Sequence, residues 1–244
     1  MVDVATTEDA LLGGRVRLRQ PAQGYRAAID PVLLAAALPA AYRGRIADLG
    51  CGVGAAALCA AIRLTDAAVV GVERDPFLAD LARQNVAANA LHARVEIVAS
   101  DIRAYAGDAA FDAVIANPPY LEAARANAQP DARKAAATIE AEAALDVWVD
   151  AALARLRPKG IFAMIHRADR LDDLLGALRG RAGEVVVFPL WPKTGVPAKR
   201  VIVSARKGIR SPLVLAAGLV LHEADGRYTA AAERVLRDGA ALSL

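Results

Sequence analysis

The sequence has little of what a metal centre, a secreted chain or a membrane span requires. Two cysteines, Cys51 and Cys59, are all that its 244 residues contain. No histidine stands at ligand spacing from them, so no structural zinc site is expected and they read as small buried thiols. Three histidines, His92, His166 and His222, are scattered, with no Ser or Cys at a nucleophile elbow, and read as structural. No apolar run reaches the roughly 18 residues that span a bilayer; the uncharged stretch between Asp30 and Arg43 stops well short. Met1 to Ala10 carries Asp3, Glu8 and Asp9 in place of a basic flank and apolar block, so no secretory signal is expected and the chain is expected in the cytoplasm. The formal net charge is only +3, and its distribution is more telling than its size.

What is present is an alternation of short apolar runs with longer Ala-rich segments, the pattern of βαβ units and a parallel sheet. Strands are expected at Ile46–Leu49, Ala68–Glu73, Val95–Val98, Phe111–Ala116 and Ile161–Ile165. Helices are expected at Ala55–Leu64, Pro76–Ala90, Thr138–Leu156 and Leu171–Leu178. Two last strands, Glu184–Leu190 and Arg200–Ala205, follow one another without a helix, so they are expected to pair antiparallel. Leu121–Ala137 has little periodicity and is a candidate substrate loop. No repeat or linker divides the chain, so one α/β domain is expected.

Asp48-Leu49-Gly50-Cys51-Gly52-Val53-Gly54-Ala55 stands where the first strand meets the first helix, and its glycines let backbone approach a ligand at a helix N-terminus. It also satisfies the dinucleotide-binding pattern, so alone it says cofactor without saying which. Glu73 ends the second strand, where a carboxylate can accept hydrogen bonds from both hydroxyls of a ribose. Asp101, after the third strand, is a further candidate for an adenine contact. Asn117-Pro118-Pro119-Tyr120 follows the strand Phe111–Ala116 at the sheet's carboxyl edge. A planar amine is a poor nucleophile because its lone pair is delocalised. An Asn117 side-chain oxygen and a Pro118 carbonyl can each accept one of its hydrogens and favour a pyramidal nitrogen, while Tyr120 stacks on the planar face. Prolines hold those acceptors rigid.

Together with Gly24-Tyr25-Arg26, Asp30-Pro31-Val32-Leu33-Leu34 and Lys199-Arg200-Val201, these motifs make the chain resemble the bacterial S-adenosylmethionine (SAM)-dependent methyltransferases that modify N6 of an adenine beside the anticodon of a valine tRNA. The resemblance covers nearly the whole chain except Leu213–Leu244, which departs from the pattern. It implies a Rossmann-like class I methyltransferase fold, with a mostly parallel seven-stranded sheet whose last strand is antiparallel. Residues 1–44 would then cover cofactor or substrate, 45–210 form the core, and 211–244 an appendage. It also implies that Asp48, Gly50, Gly52 and Gly54 line the SAM, that Glu73 holds its ribose, and that Asp101 meets its adenine. Asn117, Pro118, Pro119 and Tyr120 would present the target amine, and Tyr25, Arg26 and Asp30 would close over the site. The implied partner is tRNA, with no metal.

The same tetrapeptide also occurs in enzymes that methylate the amide of glutamine in release factors and ribosomal proteins, so this alternative stays open. A non-catalytic SAM-binding module would have no need of paired amine acceptors, and a nicotinamide-dependent oxidoreductase would have no need of the tetrapeptide. Unopposed positive charge at Arg15, Arg17, Arg19 and Arg26, and at Lys193, Lys199, Arg200, Arg206, Lys207 and Arg210, leads us to expect a basic surface around the Asn117–Tyr120 edge.

Overall fold

A computed structural model describes residues 5–23, 26–105, 110–119 and 145–244. The chain opens with an antiparallel hairpin of β1 (Thr6–Leu11) and β2 (Val16–Pro21), followed by α1 (Asp30–Ala36). Alternating strands and helices come next: β3 (Gly44–Leu49), α2 (Ala55–Arg63), β4 (Ala67–Glu73), α3 (Pro76–Ala88), β5 (Val95–Ala99) and β6 (Phe111–Ala116). Residues 145–155 are helical (α4). They lead into β7 (Leu156–Arg167), α5 (Leu171–Leu178), β8 (Ala182–Trp191) and β9 (Arg200–Lys207). Two two-residue strands, β10 (Val214–Leu215) and β11 (Leu219–Val220), precede α6 (Ala230–Leu236). The expected helix Thr138–Leu156 falls partly, and the loop Leu121–Ala137 wholly, outside the described residues.

The main sheet runs β10-β8-β9-β7-β6-β3-β4-β5, with β11 also on β8. Neighbours from β7 through β5 are parallel, and β9 lies antiparallel between β7 and β8. The seven strands β3 to β9 make the expected mostly parallel sheet with its last strand antiparallel. What the sequence did not signal is that β10 and β11 extend its outer edge, pairing parallel with β8.

Both faces of the sheet are covered, which is why its central strands are apolar throughout instead of alternating. Ile46 and Ile115 face a core shared with Leu33, Leu58 and Val235, beneath α1, α2, α3, α6 and the hairpin. Ala47, Val114 and Phe162 face the opposite core, with Val149 of α4 and Leu174 of α5. The helices begin where caps permit. Asp75 accepts the Phe77 and Leu78 N–H groups at 2.9 and 3.4 Å, and Pro76 occupies the first turn of α3.

Asn side chains on α3 hold the hairpin in place. Asn85 and Asn89 each accept a β2 backbone N–H, from Arg19 and Arg17, and donate to the same residues' carbonyls at 2.7–2.9 Å. Asn85 also donates to the Val53 carbonyl at 2.9 Å, so the hairpin and the glycine loop share one buried clamp. β2 thereby climbs along α3 and delivers Gln20 and Pro21 to the sheet's carboxyl edge.

Candidate functional site

Along that edge lies a cavity of about 850 Å³, whose walls include Asp48, Gly50, Gly52, Glu73, Asp101 and Asn117. In an open parallel sheet this is where ligands bind. Pro118 and Pro119 share the wall. Eight of the candidate residues, up to 71 positions apart in sequence, are therefore brought to one space.

The glycine loop owes its path to left-handed backbone. Gly50 has φ of 66° and Gly52 of 56°, a region that L side chains avoid. A β-carbon on Gly50 would overlap the Trp148 ring, whereas one on Gly52 would meet no atom within 4 Å and would project into the open cavity. Gly54 does different work. It caps α2 from a left-handed conformation and packs toward Ala82, so it shapes the loop from behind and is not on the cavity wall.

Two carboxylates brace the loop. Asp48 is buried and accepts the Ala57 N–H at 3.0 Å, tying the end of β3 to the first turn of α2. Burial, with the nearby Glu73 adding to it and the Ala57 bond opposing it, pushes its carboxyl up to about 7. Glu73 accepts the Gly52 N–H at 2.9 Å with one oxygen and the Asp75 N–H at 2.8 Å with the other. A carboxylate offers about four lone-pair positions, so two remain for a ligand. Asp101 is held by Arg103, through side-chain bonds of 2.9 and 3.0 Å and a backbone bond of 2.8 Å, which lower its carboxyl to about 2.

The edge has a fixed order. From β5 across to β9 it presents Asp101, Glu73, the glycine loop, Asn117 to Pro119, then His166 and Arg167, and lastly Arg200. Ala116 pairs with Met164, so the Asn117 turn lies beside the end of β7. Trp148, His166, Arg167 and Arg170 also line the cavity. None was read as a site residue, because Trp148 lies in a helix remote in sequence from the loop and the others gain their place from strand order alone. Desolvation, reinforced by Arg170 and Arg167, lowers His166 to about 4, so its ring is neutral at pH 7.

Other expected residues stand elsewhere. Arg26 donates to Thr7 and Asp9 at 2.8 and 2.6 Å, bracing the hairpin, and Asp30 is buried in an ion pair with Arg200; neither is on the cavity wall. Tyr25 and Tyr120 lie outside the described residues. The expected basic surface is also built differently. Arg15 bonds the Arg237 carbonyl beside the C-terminal end of α2, and Arg17 lies at the C-terminal end of α3; both are at the opposite edge of the sheet. Arg206 and Lys207 bond carbonyls of Lys159 and Leu156, again away from the site. Of the later group, Lys193, Lys199 and Arg200 stand at the carboxyl edge, where β8 connects to the antiparallel β9.

A family model described as the methyltransferase small domain matches residues 27–169, from the segment before α1 through β7. The chain belongs to this family. Among curated relatives of this methyltransferase-family chain, the tRNA1(Val) (adenine(37)-N6)-methyltransferase of Porphyromonas gingivalis is 35% identical over 132 residues. That match takes in 52% of this chain, and the chain spans about half (51%) of that relative's length. The protein of the same description from Aeromonas hydrophila is 30% identical over 203 residues, covering 82% of this chain and 84% of the relative. A solved structure described as a predicted O-methyltransferase, protein Atu636 of Agrobacterium tumefaciens, superposes with a TM-score of 0.73 at 29% identity. It covers 87% of this chain and 98% of that one. The fold is the Rossmann-like fold of class I methyltransferases. No helix among the described residues is long and apolar enough to cross a membrane, and no group of three or more metal-ligating side chains occurs among them.

Proposed function

We propose that this chain is a SAM-dependent N-methyltransferase that acts on N6 of an adenine in tRNA. The observation that carries the reading is a juxtaposition: the Asn117-Pro118-Pro119 turn shares one cavity with the glycine loop and Glu73. The name borne by the Porphyromonas and Aeromonas relatives supports the choice of substrate. Acting on tRNA, the protein would work in the cytoplasm.

The residues present fit the cofactor. The floor at Gly52 is open where a side chain would fill it, and Glu73 keeps two lone-pair positions for ribose hydroxyls after bonding Gly52 and Asp75. In this reading Asp48, Gly50 and Gly52 line the cofactor, Gly54 fixes the loop, and Asp101 takes the adenine end. SAM supplies a sulfonium-bound methyl group, an electrophile strong enough that transfer requires no strong base on the protein.

Asn117 and the Pro118 carbonyl accept the two hydrogens of the target amine and localise its lone pair toward the donor. Rate then comes mainly from positioning. His166 is neutral, so it adds no positive charge near the amine. Tyr120 stacks on the base once it is out of its helix. Arg26 and Asp30 act as struts, the hairpin, as part of residues 1–44, roofs the site, and Tyr25, just before Arg26 in sequence, closes over it.

The test is direct. Radiolabelled SAM is offered to the full chain with tRNA, and separately with peptide release factor. Label appearing in N6-methyladenosine after nuclease digestion is the expected result. Label appearing only in the glutamine of the protein would overturn the adenine assignment and install its alternative.

A further inference from the structure

The order of groups along the sheet edge leaves one cluster without a task in methyl transfer. Asp101, Glu73 and the glycine loop occupy the β5-β4-β3 half, the cofactor half of the site. Asn117 to Pro119 mark its boundary at β6. Arg167 and Arg170, at the end of β7, line the cavity on the far side of that boundary. Two guanidinium groups there stand across the Asn117 turn from Asp101 and Glu73.

Their side-chain bonds suggest what they are for. Arg167 engages Asp169 through Nε and Nη2, and Arg170 engages Asp173 through Nε at 2.5 Å. Each guanidinium is fixed on one edge by an acid and keeps donors on its other edge. Arg170 Nη2 is buried and has no hydrogen-bond partner among the described residues. A buried donor left without a partner costs about 1–3 kcal/mol, and a planar fork held from behind is the arrangement that matches a phosphate with least loss of side-chain freedom. Behind them, Asp30 neutralises Arg200, and the other arginines of the cavity wall, Arg74 and Arg103, follow β4 and β5 in the cofactor half, so Arg167 and Arg170 are the cavity-lining arginines on the β7 side.

We propose that Arg167 and Arg170 form a phosphate subsite that grips the RNA backbone next to the nucleotide whose amine Asn117 orients. This rests on the RNA reading above and goes beyond it by placing the backbone contact on the cavity wall at β7 instead of on the N-terminal arginines. The subsite fixes where the nucleotide's phosphate lies, and with it how far the base can enter. A glutamine side chain in a protein brings no anion to pair with these guanidinium groups.

The test measures tRNA binding and methyl transfer separately, in the full chain saturated with SAM, for the wild type and for Arg170→Gln, Arg170→Lys, Arg167→Gln and Arg17→Glu. Arg170→Gln should weaken tRNA binding about ten- to a hundredfold and reduce the slope of log affinity against log salt by roughly 0.7–0.9, one phosphate contact. SAM affinity should stay within twofold. Arg170→Lys should keep the salt slope while losing part of the affinity, because a point charge replaces a fork, and Arg17→Glu should change affinity far less. Should Arg170→Gln not fold, Arg170→Lys and Arg167→Gln still read the contact. Unchanged affinity and slope in the Arg170 and Arg167 variants, with tRNA still methylated, would overturn the subsite and leave the function standing. Arg170-dependent binding to tRNA without methylation of its adenines would overturn the function and leave the subsite standing.

Discussion

The ring of Trp148 occupies the space that a β-carbon on Gly50 would need. The contact sets α4 directly against the glycine loop, at a residue whose φ of 66° already favours glycine. Gly50→Ala is therefore expected to lose stability twice over. Left-handed strain costs about 1–2 kcal/mol, and displacement of the indole adds about 1–3 kcal/mol of overpacking. The double variant Gly50→Ala/Trp148→Ala should recover only the second part. Urea melts of the four proteins in this cycle separate the two, and strict additivity would show that the ring yields freely.

Glu73 is both a brace and, in the proposed function, a ligand. Glu73→Ala removes the acceptor for the Gly52 and Asp75 N–H groups, so it should lower stability by about 1.5–3 kcal/mol and weaken SAM binding by at least tenfold. Glu73→Gln keeps one acceptor oxygen and should be milder in both respects. Calorimetric titration with SAM reads the affinities; equal values for wild type and Glu73→Ala would remove Glu73 from the cofactor site.

Asn117 tests the division between binding and chemistry. Asn117→Ala should leave SAM affinity within a few-fold of wild type while lowering kcat by roughly two to three orders of magnitude, as losses of preorganised polar groups do. A variant that methylates its substrate at the normal rate would dispose of the amine-orienting role.

Stability should respond to pH through two groups working against each other. Asp48 is raised from 3.8 to about 7, so between those values the folded chain holds a proton that the unfolded chain has released, and stability falls as pH rises. His166 is lowered from 6.5 to about 4, so between those values the unfolded chain binds a proton that the folded chain refuses, and stability rises with pH. Each slope is at most about 1.4 kcal/mol per pH unit. Asp48→Asn, which keeps an acceptor for the Ala57 N–H, should therefore turn a nearly flat profile between pH 4 and 6.5 into one that rises with pH. His166→Gln should turn it into one that falls. Denaturant titrations across this range decide between the two signs.

How much of this was legible in the sequence varied with the kind of signal. β6 is read to the residue, because the apolar run Phe111–Ala116 ends at an Asn-Pro step that cannot continue a strand. The first five residues of β7 are missed. Pro158 and Gly160 read as a turn, yet the strand begins at Leu156 and passes through an irregularity, with Lys159 at φ of 64° and a register shift against β6. The β1–β2 pairing is silent for a different reason. β1 has only an intermediate-to-exposed alternation, and its partner is held by asparagines on α3, an interaction that no periodicity records. The glycine loop, Glu73 and Asn117 could be found because each ends a recognisable strand. Trp148 and Arg170 could not, since only the packing of α4 and the order of β6 and β7 bring them to the cavity.

The C-terminal segment bears on how the chain acquires its fold. α6 packs on α1, the Gly239 carbonyl accepts from Arg63 of α2 at 2.8 Å, and Leu242 donates to the Ala36 carbonyl at 2.8 Å. The apolar faces of α1 and α2, made early in translation, thus wait uncovered for residues more than 170 positions downstream. During vectorial synthesis this face, at the end of α2 remote from the glycine loop, stays exposed until those downstream residues have emerged.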